Sequence, residues 1–207
     1  MSKFEKCYFK DSKVSNYKNY MKKRYACLAE DLINHFDITS KSRIIDFGCA
    51  TGNLVYEIKK QSKCKIEGTD VSYWAIEQGR KMFKLQKELH FFNVNLLTKP
   101  KDYVLFLDVL EHVPTFELNW ILKLAKKKLK KKIIMRVPIA KKEGEPYVYE
   151  VSRNDKTHIQ CHSANWWINL FKRNGYVLNE RLHLNNIYDS EGVLAATFVL
   201  KSKVKNN

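Results

Sequence analysis

In the segment Asp46-Phe47-Gly48-Cys49-Ala50-Thr51-Gly52-Asn53, two glycines four residues apart follow a carboxylate. Glycine at positions 48 and 52 lets the backbone turn tightly and approach a ligand with no Cβ in the way. The spacing is not that of a triphosphate-binding loop, because no lysine follows the second glycine, and G-x-G-x-x-G is not met either. Asp46 beside the turn would repel a pyrophosphate, yet it suits a ligand that carries an ammonium group. Further on, Asp70 closes the stretch Lys65-Ile66-Glu67-Gly68-Thr69-Asp70, where an acidic side chain can accept hydrogen bonds from ribose hydroxyls. An adenosine bearing an amino acid meets both demands.

Two further clusters carry titratable groups. Asp108, Glu111 and His112 lie in Leu107-Asp108-Val109-Leu110-Glu111-His112-Val113, and His158 ends the run Asp155-Lys156-Thr157-His158. An imidazole titrates near neutrality, so His158 serves either as a general base or as a loop anchor. His162 would face His158 only on a helix, and Ser163 reads as the cap of a helix that starts later; no metal-ligating set is assigned. Tyr17, Tyr20 and Arg24 could cover a cationic ligand and pair with its carboxylate, or simply pack as the faces of an amphipathic helix.

The elements that must position these residues alternate between strand and helix. Residues 17–36 place Tyr25, Leu28, Leu32 and Phe36 at helical spacing, with Asn16 as a cap. Strands are predicted at 43–47, 65–70, 89–94, 103–107 and 133–139, and two more at 176–184 and 193–200. Helices are predicted over 54–59, from Tyr73 onward, over 116–129 and over 165–174. Successive βα units imply an α/β fold with a largely parallel sheet covered by helices on both faces, and ligands then bind beyond the carboxyl ends of the strands.

With these residues in place, the chain resembles the class I S-adenosylmethionine-dependent methyltransferases, in particular the type 11 and type 12 methyltransferase domains. Ile44 to Leu54 is similar to that family's first motif, Gly68-Thr69-Asp70-Val71-Ser72 to its second and Leu107 to Val113 to its fourth. The resemblance implies a doubly wound, seven-stranded, mostly parallel sheet whose last strand is antiparallel, and S-adenosylmethionine as cofactor. It places the methionine portion against Asp46, Gly48, Cys49, Ala50 and Gly52, the ribose on Asp70, and the adenine near Val71 and Trp74. Asn95, with Leu96 beside it, takes the position of the family's adenine-binding acidic residue, and Ala50 stands where glycine is common. Asp108 would lie close to the sulfonium centre and, with His158, is a candidate catalytic residue. The family's Asp-x-Thr-His segment lines the acceptor side, which the resemblance assigns here to residues 155–158.

Composition sets the frame. The 207 residues are 44% hydrophobic and 29% charged, as expected of one methyltransferase domain with a helical cap (1–40), a core (41–201) and a basic tail (202–207). The longest apolar run, Tyr103 to Leu107, is far short of the roughly 20 residues a membrane span needs, and five scattered cysteines suggest reduced thiols in the cytoplasm. The net charge of +16 suits an anionic partner. The expected reaction is methyl transfer to an oxygen or nitrogen of a small metabolite or glycan-type acceptor. The alternatives are an RNA methyltransferase assisted by a metal on Asp108, Glu111, His112 and His158, or a non-catalytic S-adenosylmethionine-binding protein.

Overall fold

The computed structural model describes residues 4–10, 22–182 and 195–202; the predicted cap Asn16 and the tyrosines Tyr17 and Tyr20 lie outside them. The helices are α1 (Lys6–Lys10), α2 (Lys22–Phe36), α3 (Asn53–Ser62), α4 (Tyr73–Phe83), α5 (Thr115–Lys126), α6 (Glu150–Asn154) and α7 (Ala164–Arg173). The strands are β1 (Arg43–Phe47), β2 (Lys65–Asp70), β3 (Leu89–Phe91), β4 (Lys101–Leu107), β5 (Leu129–Pro138), β6 (Tyr176–Leu182) and β7 (Ala195–Ser202). They form one sheet in the order β3-β2-β1-β4-β5-β7-β6. Pairing is parallel from β3 to β5, and β7 runs antiparallel to both of its neighbours. The order reverses between β1 and β4, which opens a crevice at their carboxyl ends.

Alternation within the strands fills both faces. Ile44, Leu105 and Ile134 join Leu28 and Leu32 of α2 and Val55 and Ile58 of α3 in one core. Ile45, Val104, Phe106, Ile133 and Met135 join Leu118 and Leu122 of α5 and Trp167 and Phe171 of α7 in the other. A central strand buried on both sides needs apolar residues at every position, which explains the unbroken run from Tyr103 to Leu107. Among the described residues no helix is long and apolar enough to cross a membrane.

Three of the boundaries that differ from expectation do so for a local reason. The third strand stops at Phe91 instead of Val94: Phe92 takes a positive φ of 41°, and Asn93 N–H donates to Thr69 Oγ1 at 2.8 Å, so the chain turns into a 3-10 segment at Val94–Thr98. The helix expected to reach Leu129 ends at Lys126, and a positive φ of 53° at Lys128 redirects the chain into β5 four residues before the predicted start at Ile133. The lysine run 126–132 is thus half strand. Two short helices, α1 and α6, were not predicted at all.

Gly79 holds α4 against the turn after β1. A Cβ there would lie 2.3 Å from the carbonyl oxygen of Thr51, a backbone atom that cannot give way. Gly79→Ala should therefore destabilise the protein by about 1–3 kcal/mol through overpacking, despite the ~1 kcal/mol that alanine gains in helix propensity. Denaturant unfolding would reveal this as a lower midpoint; an unchanged midpoint would mean that α4 can move freely.

Candidate active site

The turn after β1 contains three left-handed residues within five: Gly48 (φ 82°), Ala50 (φ 50°) and Gly52 (φ 72°). Glycine relieves the strain at two of them, and Ala50 carries it at the third. Sequence reasoning gave these glycines to the ligand, but the structure shows them serving packing as well. A Cβ on Gly48 would lie 2.4 Å from Val109 Cγ2, and one on Gly52 would lie 2.8 Å from Leu89. Gly48 N–H and Cys49 N–H both donate to Thr69 O, at 2.8 and 3.1 Å, tying the turn to β2.

Asp70 completes that tie. Its Oδ2 accepts from Ala50 N–H and its Oδ1 from Ser72 N–H, both at 2.8 Å. Ser72 in turn caps α4 by accepting from Ala75 N–H at 3.1 Å. Burial pushes the Asp70 carboxyl up to about 6 against the pull of these backbone donors. Asp46 is buried with less help: desolvation, then the nearby Asp70 charge, pushes its carboxyl up to about 7. A buried and a half-buried carboxyl that resist ionisation side by side form an environment that a cation relieves.

Across the crevice, Asp108 has a positive φ of 55°. Its Oδ1 accepts from Arg136 Nε at 2.9 Å, and Arg136 Nη2 pairs with Oδ2. Arg136 projects from β5 and is 4% exposed. The bidentate partner fixes the Asp108 carboxylate in place.

The far wall hangs from the turn that follows. The Glu111 carbonyl accepts from Ile159 N–H at 2.9 Å and Gln160 N–H at 3.1 Å. Thr157 Oγ1 lies 2.9 Å from His112 Nδ1, and His158 Nδ1 lies 3.0 Å from the carbonyl of Ser152. The His112 and His158 rings stand 4.7 Å apart, edge to face. The Glu111 side chain is 1% exposed, and burial, with the Asp155 charge behind it, pushes its carboxyl up to about 8. From the opposite side α1 closes over the cavity: Tyr8 OH donates to Asp155 Oδ2 at 3.4 Å, and Phe9 stacks on Trp74 at 5.6 Å.

These parts enclose a cavity of about 380 Å³. Asp46, Gly48, Cys49, Ala50, Asp70, Val71, Asp108 and His158 of the expected site line it, together with Glu111, His112 and Arg24. Gly52, Trp74, Asn95 and Leu96 are outside the lining. Gly52 caps α3 behind the turn, Trp74 rests against Phe9, Asn95 is exposed and Leu96 is in the core. On the same stretch after β3, Asn93 and Val94 line the cavity. His162 is also elsewhere, stacked on Trp166 at 3.6 Å with Nδ1 2.6 Å from Glu143. Sequence reasoning missed Tyr8, Phe9, Trp120 and Tyr149, whose lining role rests on helix docking that no motif records.

The high value for Asp46 has a measurable consequence. If the ionised form binds an ammonium group, affinity should fall about tenfold from pH 8 to pH 6, as the carboxyl takes up its proton. The sign for stability is the reverse. Between its ordinary value near 4 and about 7, the folded chain holds a proton that the unfolded chain has released, so stability of the unliganded protein falls as pH rises across that window. Calorimetry with S-adenosylmethionine at several pH values checks the first claim, and Asp46→Asn should flatten the profile. A flat profile in the parent protein would remove the ammonium from Asp46.

A doubly wound sheet in this strand order, with a glycine turn after β1 and an acidic residue ending β2, defines the class I S-adenosylmethionine-dependent methyltransferases. The chain belongs to the methyltransferase domain family, whose pattern matches residues 17–180, and it is an S-adenosylmethionine-dependent methyltransferase. No curated protein matches the sequence. Among solved structures, the fold is similar to magnesium protoporphyrin IX methyltransferase from Synechocystis with bound S-adenosylhomocysteine (15% identity, 88% of this chain and 83% of that one, TM-score 0.64). It is similar to a methyltransferase from Haloferax volcanii in complex with the Trm112 activator (11% identity, 95% and 98% covered, TM-score 0.70). A further likeness is to an S-adenosylmethionine-dependent methyltransferase from Clostridium acetobutylicum (13% identity, 95% and 96% covered, TM-score 0.67).

Proposed function

We propose that this cytoplasmic enzyme transfers a methyl group to an oxygen or nitrogen of a small metabolite or sugar-bearing acceptor. The observation that carries the reading is a single cavity running from the Asp46 and Asp70 carboxyls to the His112–His158 wall, of a size that suits a small ligand. The bound cofactor supplies an electrophilic methyl on a sulfonium. Asp46 holds its ammonium group, Asp70 its ribose, and the turn at Gly48 to Ala50 its aminoacyl chain. Asp108, fixed by Arg136, places negative charge beside the cationic centre. The acceptor enters between α1 and the 155–158 segment, where His158 takes up its proton.

The test is calorimetry with S-adenosylmethionine and its demethylated product, followed by mass spectrometry of candidate acceptors incubated with enzyme and cofactor. Failure to bind either compound overturns the reading. A second reading, RNA methylation, draws on the convergence of Glu111, His112 and His158 and on the net charge of +16. Under it, RNA would bind with an affinity that drops steeply with salt, and small acceptors would stay unmethylated.

A further inference from the structure

The acceptor wall contains a buried acidic group that the cofactor does not need. Glu111 Oε2 is fully buried and has no hydrogen-bond partner among the described residues, although the side chain belongs to the cavity lining. Leaving such an atom unpartnered is costly unless something absent from the chain itself completes it. Beside it stand two imidazoles. One ligand atom from each of Glu111, His112 and His158 falls within 4.8 Å of the others.

The hydrogen bonds around the rings determine which nitrogens carry hydrogen. The Ser152 carbonyl can only accept, so His158 Nδ1 is the donor at 3.0 Å, which leaves Nε2 as the nitrogen that can ligate. Thr157 Oγ1 gives its one hydrogen to Asp155 Oδ1 at 2.5 Å, so at 2.9 Å it must accept from His112 Nδ1. Asp155 is held in turn, accepting from Thr157 N–H at 2.8 Å. Both imidazoles are therefore fixed with Nε2 as the ligating atom by a carbonyl and by a Thr–Asp relay, the outer-shell arrangement that orients metal-binding histidines. His158 Nε2 also lies 3.7 Å from Asp155 Oδ2. Asp108 takes no part in the cluster, because Arg136 holds its carboxylate.

We infer that Glu111, His112 and His158 form a binding site for one divalent transition-metal cation in the acceptor wall, with its open positions directed at oxygen donors of the acceptor. Two imidazoles and one carboxylate suit such an ion, and three protein ligands leave positions for substrate. The inference rests on the methyl-transfer reading for its use, but the site itself is a property of the chain. With an ion bound, His158 would act as ligand, and the ion would make the acceptor oxygen more acidic so that its proton passes to solvent instead of to the imidazole.

The probe is Co²⁺ alone, added to the full chain after chelator treatment and followed by equilibrium dialysis and by its visible absorption. The expected result is one ion per chain with a spectrum showing nitrogen ligation. Glu111→Gln should weaken binding by roughly a hundredfold and Thr157→Val, which only positions His112, by about 10–100-fold. The Val variant keeps the shape, and calorimetric binding of S-adenosylmethionine to the same samples verifies folding. No bound Co²⁺, or equal binding by the parent and Glu111→Gln proteins, overturns the site. Failure of Co²⁺ to bind would sink the site and leave the methyltransferase reading intact, methyl transfer that persists without bound metal would overturn the ion's part in acceptor activation, and Co²⁺ binding without methyl transfer to any acceptor would sink that reading and keep the site.

Discussion

Exchanging Asp70 for alanine should weaken S-adenosylmethionine binding by about a hundredfold or more while also lowering the melting temperature. Hydrogen bonds to a charged acceptor contribute about 1.5–3 kcal/mol each, and two ribose hydroxyls held by this carboxylate would amount to about two to four powers of ten in affinity. The loss of stability has a separate origin. Ala50 N–H and Ser72 N–H, each 2.8 Å from the Asp70 oxygens, would be left without their acceptor at a cost of about 1–3 kcal/mol apiece. Asp70→Asn helps to separate the two effects, because the amide still accepts one of these donors but turns its NH₂ toward the other. Calorimetry and thermal unfolding on the same preparations provide the measurement. Unchanged affinity in the folded variant would mean that the ribose lies elsewhere.

The second large effect is expected at His158. A group that handles the acceptor's proton, directly or through a bound ion, contributes about 10²–10⁴ in rate, so His158→Ala should lower kcat at least a hundredfold. Cofactor affinity should stay near that of the parent protein, because the imidazole faces Ser152 and His112 and not the turn at Gly48. Steady-state kinetics, once an acceptor is in hand, gives the first number and calorimetry the second. Full activity would reduce His158 to an anchor for the 155–160 segment.

The residues expected to hold the cofactor could be named from the sequence because the reasoning behind them is local. Asp46, Gly48 and Asp70 are recognisable from residue type at a strand end, and the structure puts all three on the cavity wall. Asn95 and Leu96 fall outside the cavity lining, and the end of β3 that sets their position depends on a bond from Asn93 to Thr69 on a neighbouring strand, which no periodicity reveals. The bidentate hold of Arg136 on Asp108 crosses from β5 to the end of β4 and was equally hidden. In the fold, the long helices and central strands were visible from their apolar spacing, whereas α1 and α6, five residues each, are shorter than two turns of the pattern. The cluster around Glu111 was visible as residue types in the sequence; which of them meet came only from packing.

One short helix links the two ends of the chamber. Through Phe9 and Trp74, α1 is fastened to α4 on the nucleoside flank, and through Tyr8 and Asp155 it is latched to the opposite flank. Any swing that releases one attachment strains the other. Opening the chamber beside α1 at either end therefore has to break one of these attachments or drag the other with it.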